Sequence, residues 1–204
     1  MNRFGHTRIR SLALLASAAG AVIALVAGCG GDSASPSDGA TPLAETPASA
    51  TAFNDADVMF AQQMIPHHQQ VVDLAKLAQT KASSAGLKRL AADMKAADTT
   101  VVSTITTMLT GWGKPTAMEG EMAHGSMPGM TSEKDVDMLK SMSGTEFDRM
   151  FIQVMIAHHN GSMQMTMEQQ SNGASPEAKA LAGQMHQTQT EQVARLQEIL
   201  DSLP

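Results

Sequence analysis

The chain has 204 residues, with 14 Lys and Arg against 20 Asp and Glu, for a net charge of −6. That length fits one domain plus extra segments, and the acidic balance argues against nucleic acid as a partner while mildly attracting cations. A single Cys rules out an intrachain disulfide, and 17 Met beside five Phe, one Trp and no Tyr give a core poor in aromatics.

Arg3, Arg8 and Arg10 open the chain as a basic stretch, and Ser11–Val26 follows as an apolar run too short for a comfortable membrane span. It leads into Leu25-Val26-Ala27-Gly28-Cys29, which resembles a bacterial lipobox. Residues 1–28 therefore read as a lipoprotein signal peptide, with Cys29 as the lipid-bearing first mature residue. An ordinary secretory signal and a short membrane anchor are the alternatives. The protein is expected outside the cytoplasm, in the periplasm or cell envelope, held to the membrane by its lipid alone. Residues 29–52 are mostly Gly, Ser, Ala, Pro and Thr, cannot bury enough apolar surface to fold, and read as a flexible tether. Loss of residues 1–28, which hold three Arg and no acid, moves the net charge from −6 to −9.

The folded domain is expected over residues 53–204, as repeat one (55–110), a Met-rich connection (111–144) and repeat two (145–203). Asn54 is a plausible cap for a first helix over Asp55–Thr80, whose apolar stripe is Phe60, Met64, His67, Val71, Leu74 and Ala78. Pro66 interrupts it, so either the helix bends there or it begins there. A second helix covers Ala85–Leu109, with Leu87, Leu90, Met94, Val101, Ile105 and Met108 on one side, and Trp112 closes it. Within the long connection a short helix is expected at Ser132–Ser143. A third helix starts after Thr145, which with Asp148 resembles a capping box, and carries Phe147, Phe151, Met155, His158, Ser162 and Met165. The fourth opens at Ser175-Pro176-Glu177 and runs through Leu181, Met185, Leu196, Ile199 and Leu203. No stretch alternates with the period of a strand. Short links within each pair predict two antiparallel hairpins. The expected fold is all-α: a ferritin-like four-helix bundle with a long crossover.

The hairpins are copies. Between Asp57–His68 and Asp148–His159, 91 residues apart, eight of twelve positions are identical, and the same offset pairs Leu90 with Leu181 and Met94 with Met185. Each copy carries a thioether and two imidazoles: Met64, His67 and His68, then Met155, His158 and His159. These are soft and borderline ligands suited to Cu(I), Ag(I) or Cu(II). His67 and His158 fall on the inward stripes and are expected to approach each other; His68 and His159 point about 100° round, toward a flank. Met155, His159, Met163 and Met167 recur every four residues, as a ladder on one helix face. In the connection, Met118, Met122, His124, Met127 and Met130 lie among Gly and Pro, where a thioether has no core to fill. That segment is expected to wrap a low-coordinate soft ion, or to be a linker of biased composition. For any single Met, core filling competes with ligation. Two His pairs on apolar stripes are harder to explain as packing, because a buried imidazole needs partners for both nitrogens. Imidazole ligands with an ordinary pKa are lost by about pH 5, whereas thioethers are not.

These motifs together resemble the family known as domain of unknown function 305, on Phe60, Met64-Ile65-Pro66-His67-His68, Phe147-Asp148, Phe151, Met155-Ile156-Ala157-His158-His159 and the Leu90/Leu181 and Met94/Met185 pairs. The resemblance spans Asp55 to Leu203. It implies a secreted or lipid-anchored ferritin-like bundle associated with copper or silver handling, and it leaves mechanism open. The extra Met163, Met165 and Met167 depart from the usual pattern and would strengthen a thioether site.

The expected function is binding of copper, Cu(I) in preference, with silver as a second ion, to sequester it or pass it to an envelope copper-handling protein. No enzyme signature is present: there is no His-Glu-x-x-His, no nucleophile beside a base and no phosphate-binding Gly loop. The competing expectations are a metal-dependent oxidase or hydrolase with a His-built centre, and a metal-free adaptor.

Overall fold

The computed structural model describes residues 52–118 and 127–204. Cys29, the leader and nearly all of the tether, together with Met122 and His124 of the connection, lie outside the described residues. None of the described helices is long and apolar enough to cross a membrane.

Local signals decide where the helices begin. In α1 (Asp55–Lys81) the Asn54 side chain accepts the Asp57 N–H at 3.1 Å, and Asp57 accepts the Asn54 N–H at 2.8 Å, a reciprocal capping box. The helix runs unbroken through Pro66, so Pro66 does not begin it. Ser84 caps α2 (Ala85–Gly111), which ends at Trp112. Ser132 caps the short α3 (Glu133–Ser141) inside the connection. Ser175 caps α5 (Pro176–Ser202), with Pro176 in the first turn where its missing N–H costs nothing.

One expected start is different. α4 (Gly144–Asn172) begins before Thr145, with Ser143 at the cap and no side-chain capping bond. Gly144 has φ of 68°, a conformation that favours glycine. Asp148 does not close a capping box with Thr145. It accepts instead the N–H groups of Ser83 at 3.0 Å and Ser84 at 2.8 Å, from the turn between α1 and α2.

The long helices form two hairpins, α1 with α2 and α4 with α5. α1 also packs on α4, and α2 lies against α5. This is the expected four-helix bundle, with α3 added on the crossover. Two apolar clusters fill it. One gathers Val71, Leu74, Leu87, Leu90, Phe147, Phe151, Met155 and Leu196. The other gathers Phe60, Met64, Ile105, Leu109, Met127, Met165 and Met185. The C-terminal half of α1 thus meets the N-terminal half of α4, and the reverse at the other end, so the two helices are antiparallel. Each fully buried Leu, Phe or Met contributes about 1.5–3 kcal/mol by leaving water. Between the clusters lies a buried polar layer: His67, His68, Asp98, His158, His159, Ser162 and Gln189. It falls where the two helices cross, midway along the bundle.

Candidate metal centre

The stripes on α1 and α4 bring His67 and His158 together as expected. Their ring centroids are 4.0 Å apart. His68 and His159 do not sit on an open flank. They are 3% and 0% exposed, because α2 and α5 cover that side. His68 lies 6.3 Å from His67 by ring centroid, and His159 lies 6.1 Å from His158.

The hydrogen bonding of this cluster is sparse. His67 Nε2 donates to the Pro128 carbonyl at 2.9 Å, and His68 Nδ1 pairs with the Asp98 carboxylate. Six buried ring nitrogens have no hydrogen-bond partner among the described residues: His67 Nδ1, His68 Nε2 and both nitrogens of His158 and His159. Leaving such groups unpaired costs about 1–3 kcal/mol each, which a fold normally avoids. Burial also keeps the rings neutral. It pushes His67 down to about 4, against the opposing pull of the Pro128 bond. It does the same to His159, with Asp98 resisting. His158 is held well below 6.5 by burial and by the three neighbouring imidazoles. At neutral pH these rings therefore present bare lone pairs, the form in which imidazole binds metal.

Met64 and Met155 stand one turn from His67 and His158, both fully buried, at the edges of opposite apolar clusters. The Ser162 hydroxyl points at the Met64 sulfur across 3.9 Å, and Gln189 Nε2 donates to that hydroxyl at 2.8 Å. Among the described residues no group of three His, Cys, Asp or Glu side chains stands ready-made around one ion position. The donors present, paired imidazoles flanked by thioethers, match a low-coordinate soft cation rather than a hard one.

The other expected ligands separate. The α4 ladder is divided: Met155 and His159 are buried, Met163 is half-buried with its sulfur accepting the Thr190 hydroxyl at 3.4 Å, and Met167 is 52% exposed. A series spaced every four residues drifts about 40° round the helix at each step, so Met163 and Met167 rotate away from the buried stripe of Met155, His158, Ser162, Met165 and Gln169, which stays against α1. In the connection, Met127 does have a core to fill: it is buried against Phe60, Met64 and Met165. Met130 borders a groove beside Pro66 and Leu74, and Met118 is half-buried. The strand that carries Met127 lies across α4 at Gly161. A Cβ added there would sit 2.3 Å from the Pro128 carbonyl carbon and oxygen, so only glycine permits the crossing. His186 pairs with Thr166 through Nδ1 at 3.2 Å.

Sequence reasoning missed Asp98. Its signal was present: it fills the gap between Met94 and Val101 in the apolar stripe of α2, so an acid sits on the inward face. Pro128 left no comparable signal, because its role is made by a backbone carbonyl.

No curated protein sequence matches the chain. The family model described as Domain of unknown function (DUF305) matches residues 57–200. A DUF305 fragment from Deinococcus radiodurans is 30% identical, with a TM-score of 0.68 over 74% of this chain and 98% of that one. CopM in its Cu(II)-bound form is 27% identical, with a TM-score of 0.61 over 71% of this chain and 95% of that one. CopM in its Cu(I)-bound form is 26% identical, with a TM-score of 0.60 over the same shares of the two chains. With the duplicated His pair, the antiparallel hairpins and the family match all falling on the same segment, the chain belongs to the DUF305 family.

Proposed function

We propose that this protein binds copper, Cu(I) in preference and Ag(I) as a second ion, outside the cytoplasm, and that it stores the ion or hands it to another envelope protein. The observation that carries this reading is the set of six unpartnered imidazole nitrogens in a buried layer. They are costly to folding, and because each neutral ring has one bare nitrogen, the four rings offer a metal ion four lone pairs that nothing else takes up. Met64 and Met155 beside them supply the softness that favours Cu(I). CopM, a fold neighbour 25–27% identical, is known with Cu(I), Cu(II) and Ag bound, which supports the same cargo here. A binding role is favoured over catalysis by the cleft that reaches this layer, about 130 Å³ in volume, enough for an ion and its water but small for an organic substrate. The lipobox at Cys29 supports membrane attachment. The experiment is a competition titration of the purified protein with chelators specific for Cu(I) and for Cu(II), beside Zn(II) and Fe(II) controls. Tight Cu(I) binding, abolished in a folded variant with His67, His68, His158 and His159 all changed to Ala, is the expected result. Unchanged affinity in that variant sinks the reading.

A further inference from the structure

The 91-residue offset that pairs His68 with His159 also pairs Ala97, Asp98 and Val101 of α2 with Thr188, Gln189 and Gln192 of α5. All six of these helix positions line one cleft, with His68 at its floor. The cleft therefore lies where the two repeats face each other, and the exception to its symmetry is chemical. On one side is a carboxylate and on the other an amide. Asp98 engages His68 Nδ1, while Gln189 spends its Nε2 on Ser162 and leaves His159 alone.

A carboxylate accepts a hydrogen bond, so Asp98 holds the proton of His68 on Nδ1 and leaves Nε2 as the bare nitrogen. His68 Nε2 is indeed buried without a partner among the described residues. His159 has no such device: neither of its nitrogens is engaged. Asp98 is itself only 4% exposed, and a carboxylate is costly to bury unless something cationic or hydrogen-bonded compensates it. Gln184 and Thr188 at the mouth are neutral oxygen and nitrogen donors, which let a cation pass without trapping it.

We infer that Asp98 is a positioning residue that makes His68 the first ligand an arriving copper ion meets, and that the α2–α5 cleft is the route by which the ion enters and leaves the His67/His158 layer. The two repeats thus divide the work: the Asp98 copy receives the ion, and the Gln189 copy helps hold it. This rests on the copper-binding reading above.

The test uses the whole protein with Cu(I) as the probe. Asp98→Ala should weaken Cu(I) affinity by about 10–100-fold, the usual effect of losing a ligand's orienting partner, and Asp98→Glu should recover part of it. Because Asp98 acts through His68, the His68→Ala/Asp98→Ala double variant should bind no more weakly than His68→Ala alone. Nitrogen NMR of the metal-free protein should find His68 protonated on Nδ1, and that preference should disappear in Asp98→Ala. Thr188→Leu, which narrows the mouth, should slow Cu(I) loading and its withdrawal by a chelator by the same factor, tenfold or more. An Asp98→Ala affinity within twofold of the parent, additive losses in the double variant, or unaltered rates in Thr188→Leu would each overturn the inference. A parent protein that fails to bind Cu(I) overturns the copper reading instead, and the NMR measurement still decides whether Asp98 sets the His68 tautomer.

Discussion

Asp57 and Asp148 occupy the same position in the two repeats, and each clasps the turn of the other hairpin. Asp57 on α1 accepts the N–H groups of Ala174 at 2.9 Å and Ser175 at 3.0 Å, at the start of α5. Asp148 on α4 accepts those of Ser83 and Ser84, at the start of α2. Each carboxylate thus satisfies open amides at the N-terminus of a helix in the other copy, where the helix dipole also favours negative charge. The duplication preserves a reciprocal lock between hairpins as well as a ligand motif. The lock pins both ends of the bundle and so fixes how α1 and α4 cross at the His layer.

Removing either clasp should cost stability more than chemistry. Asp148→Ala strands the Ser83 and Ser84 amides and should lower unfolding free energy by about 2–3 kcal/mol, measured by urea denaturation. Asp57→Ala should behave alike. For Asp57, burial pushes the carboxyl up, but hydrogen bonds from Asn54, Ala174, Gln169 and Ser175 outweigh that and hold it below 3.8. Its contribution is therefore present above about pH 4 and lost as the pH falls below that, and the Ala variant should lack this acid-side loss.

His158 gives the sharpest separation of folding from function. Both of its nitrogens are unpartnered among the described residues, and it is 1% exposed. Exchanging it for an apolar residue of similar bulk removes two unsatisfied polar atoms. His158→Leu should leave the metal-free protein as stable or more stable, by about 1 kcal/mol, while weakening copper binding. Thermal unfolding and chelator competition on the same sample would check both halves. A marked loss of stability would mean that His158 is a structural residue.

Gly161→Ala tests the strand over the site. In a helix this change normally gains about 1 kcal/mol. Here the new Cβ would meet the Pro128 backbone at 2.3 Å, and overpacking of this kind costs about 1–3 kcal/mol. The net expectation is a displaced strand, with loss of the His67–Pro128 bond and of the Thr131 N–H bond to Gln70. Faster hydrogen exchange at the Met130 and Thr131 amides is the measurement. Unchanged protection would mean that the crossing tolerates a side chain.

The buried imidazoles set two pH responses. His67 and His159 titrate at about 4, and His158 well below 6.5. Their folded values are depressed, so between about pH 6.5 and 4 the unfolded chain takes up protons that the folded one refuses. Metal-free stability should be full above that window and fall through it, by up to about 1.4 kcal/mol per pH unit for each histidine. The same burial changes the expectation for copper. An ordinary histidine pKa predicts that imidazole ligands are lost by pH 5, but rings that titrate at about 4 stay available there. Cu(II) as well as Cu(I) should then remain bound at pH 5. Cu(II) released near pH 6.5 would place it on exposed groups.

The sequence by itself determined the helical class, the two hairpins, the caps at Asn54 and Ser175, and the convergence of His67 with His158. All of these follow from local rules: hydrophobic period, capping chemistry and a gapless repeat. Periodicity states which face of a helix is apolar, but not which neighbour covers the adjacent face. For that reason His68 and His159 were expected on a flank, and only the packing of α2 and α5 buried them. The same gap hid Asp98, an acid whose meaning depends on a ring thirty residues away across a helix interface. It also divided the α4 ladder: spacing by four drifts about 40° per step, and the packing against α1 kept the stripe through Met165 and Gln169 buried while Met167 turned to solvent. Met127 became core because a glycine at Gly161 lets a distant strand touch the helix backbone. Those placements depend on contacts between segments far apart in the chain, and tertiary structure alone decided them.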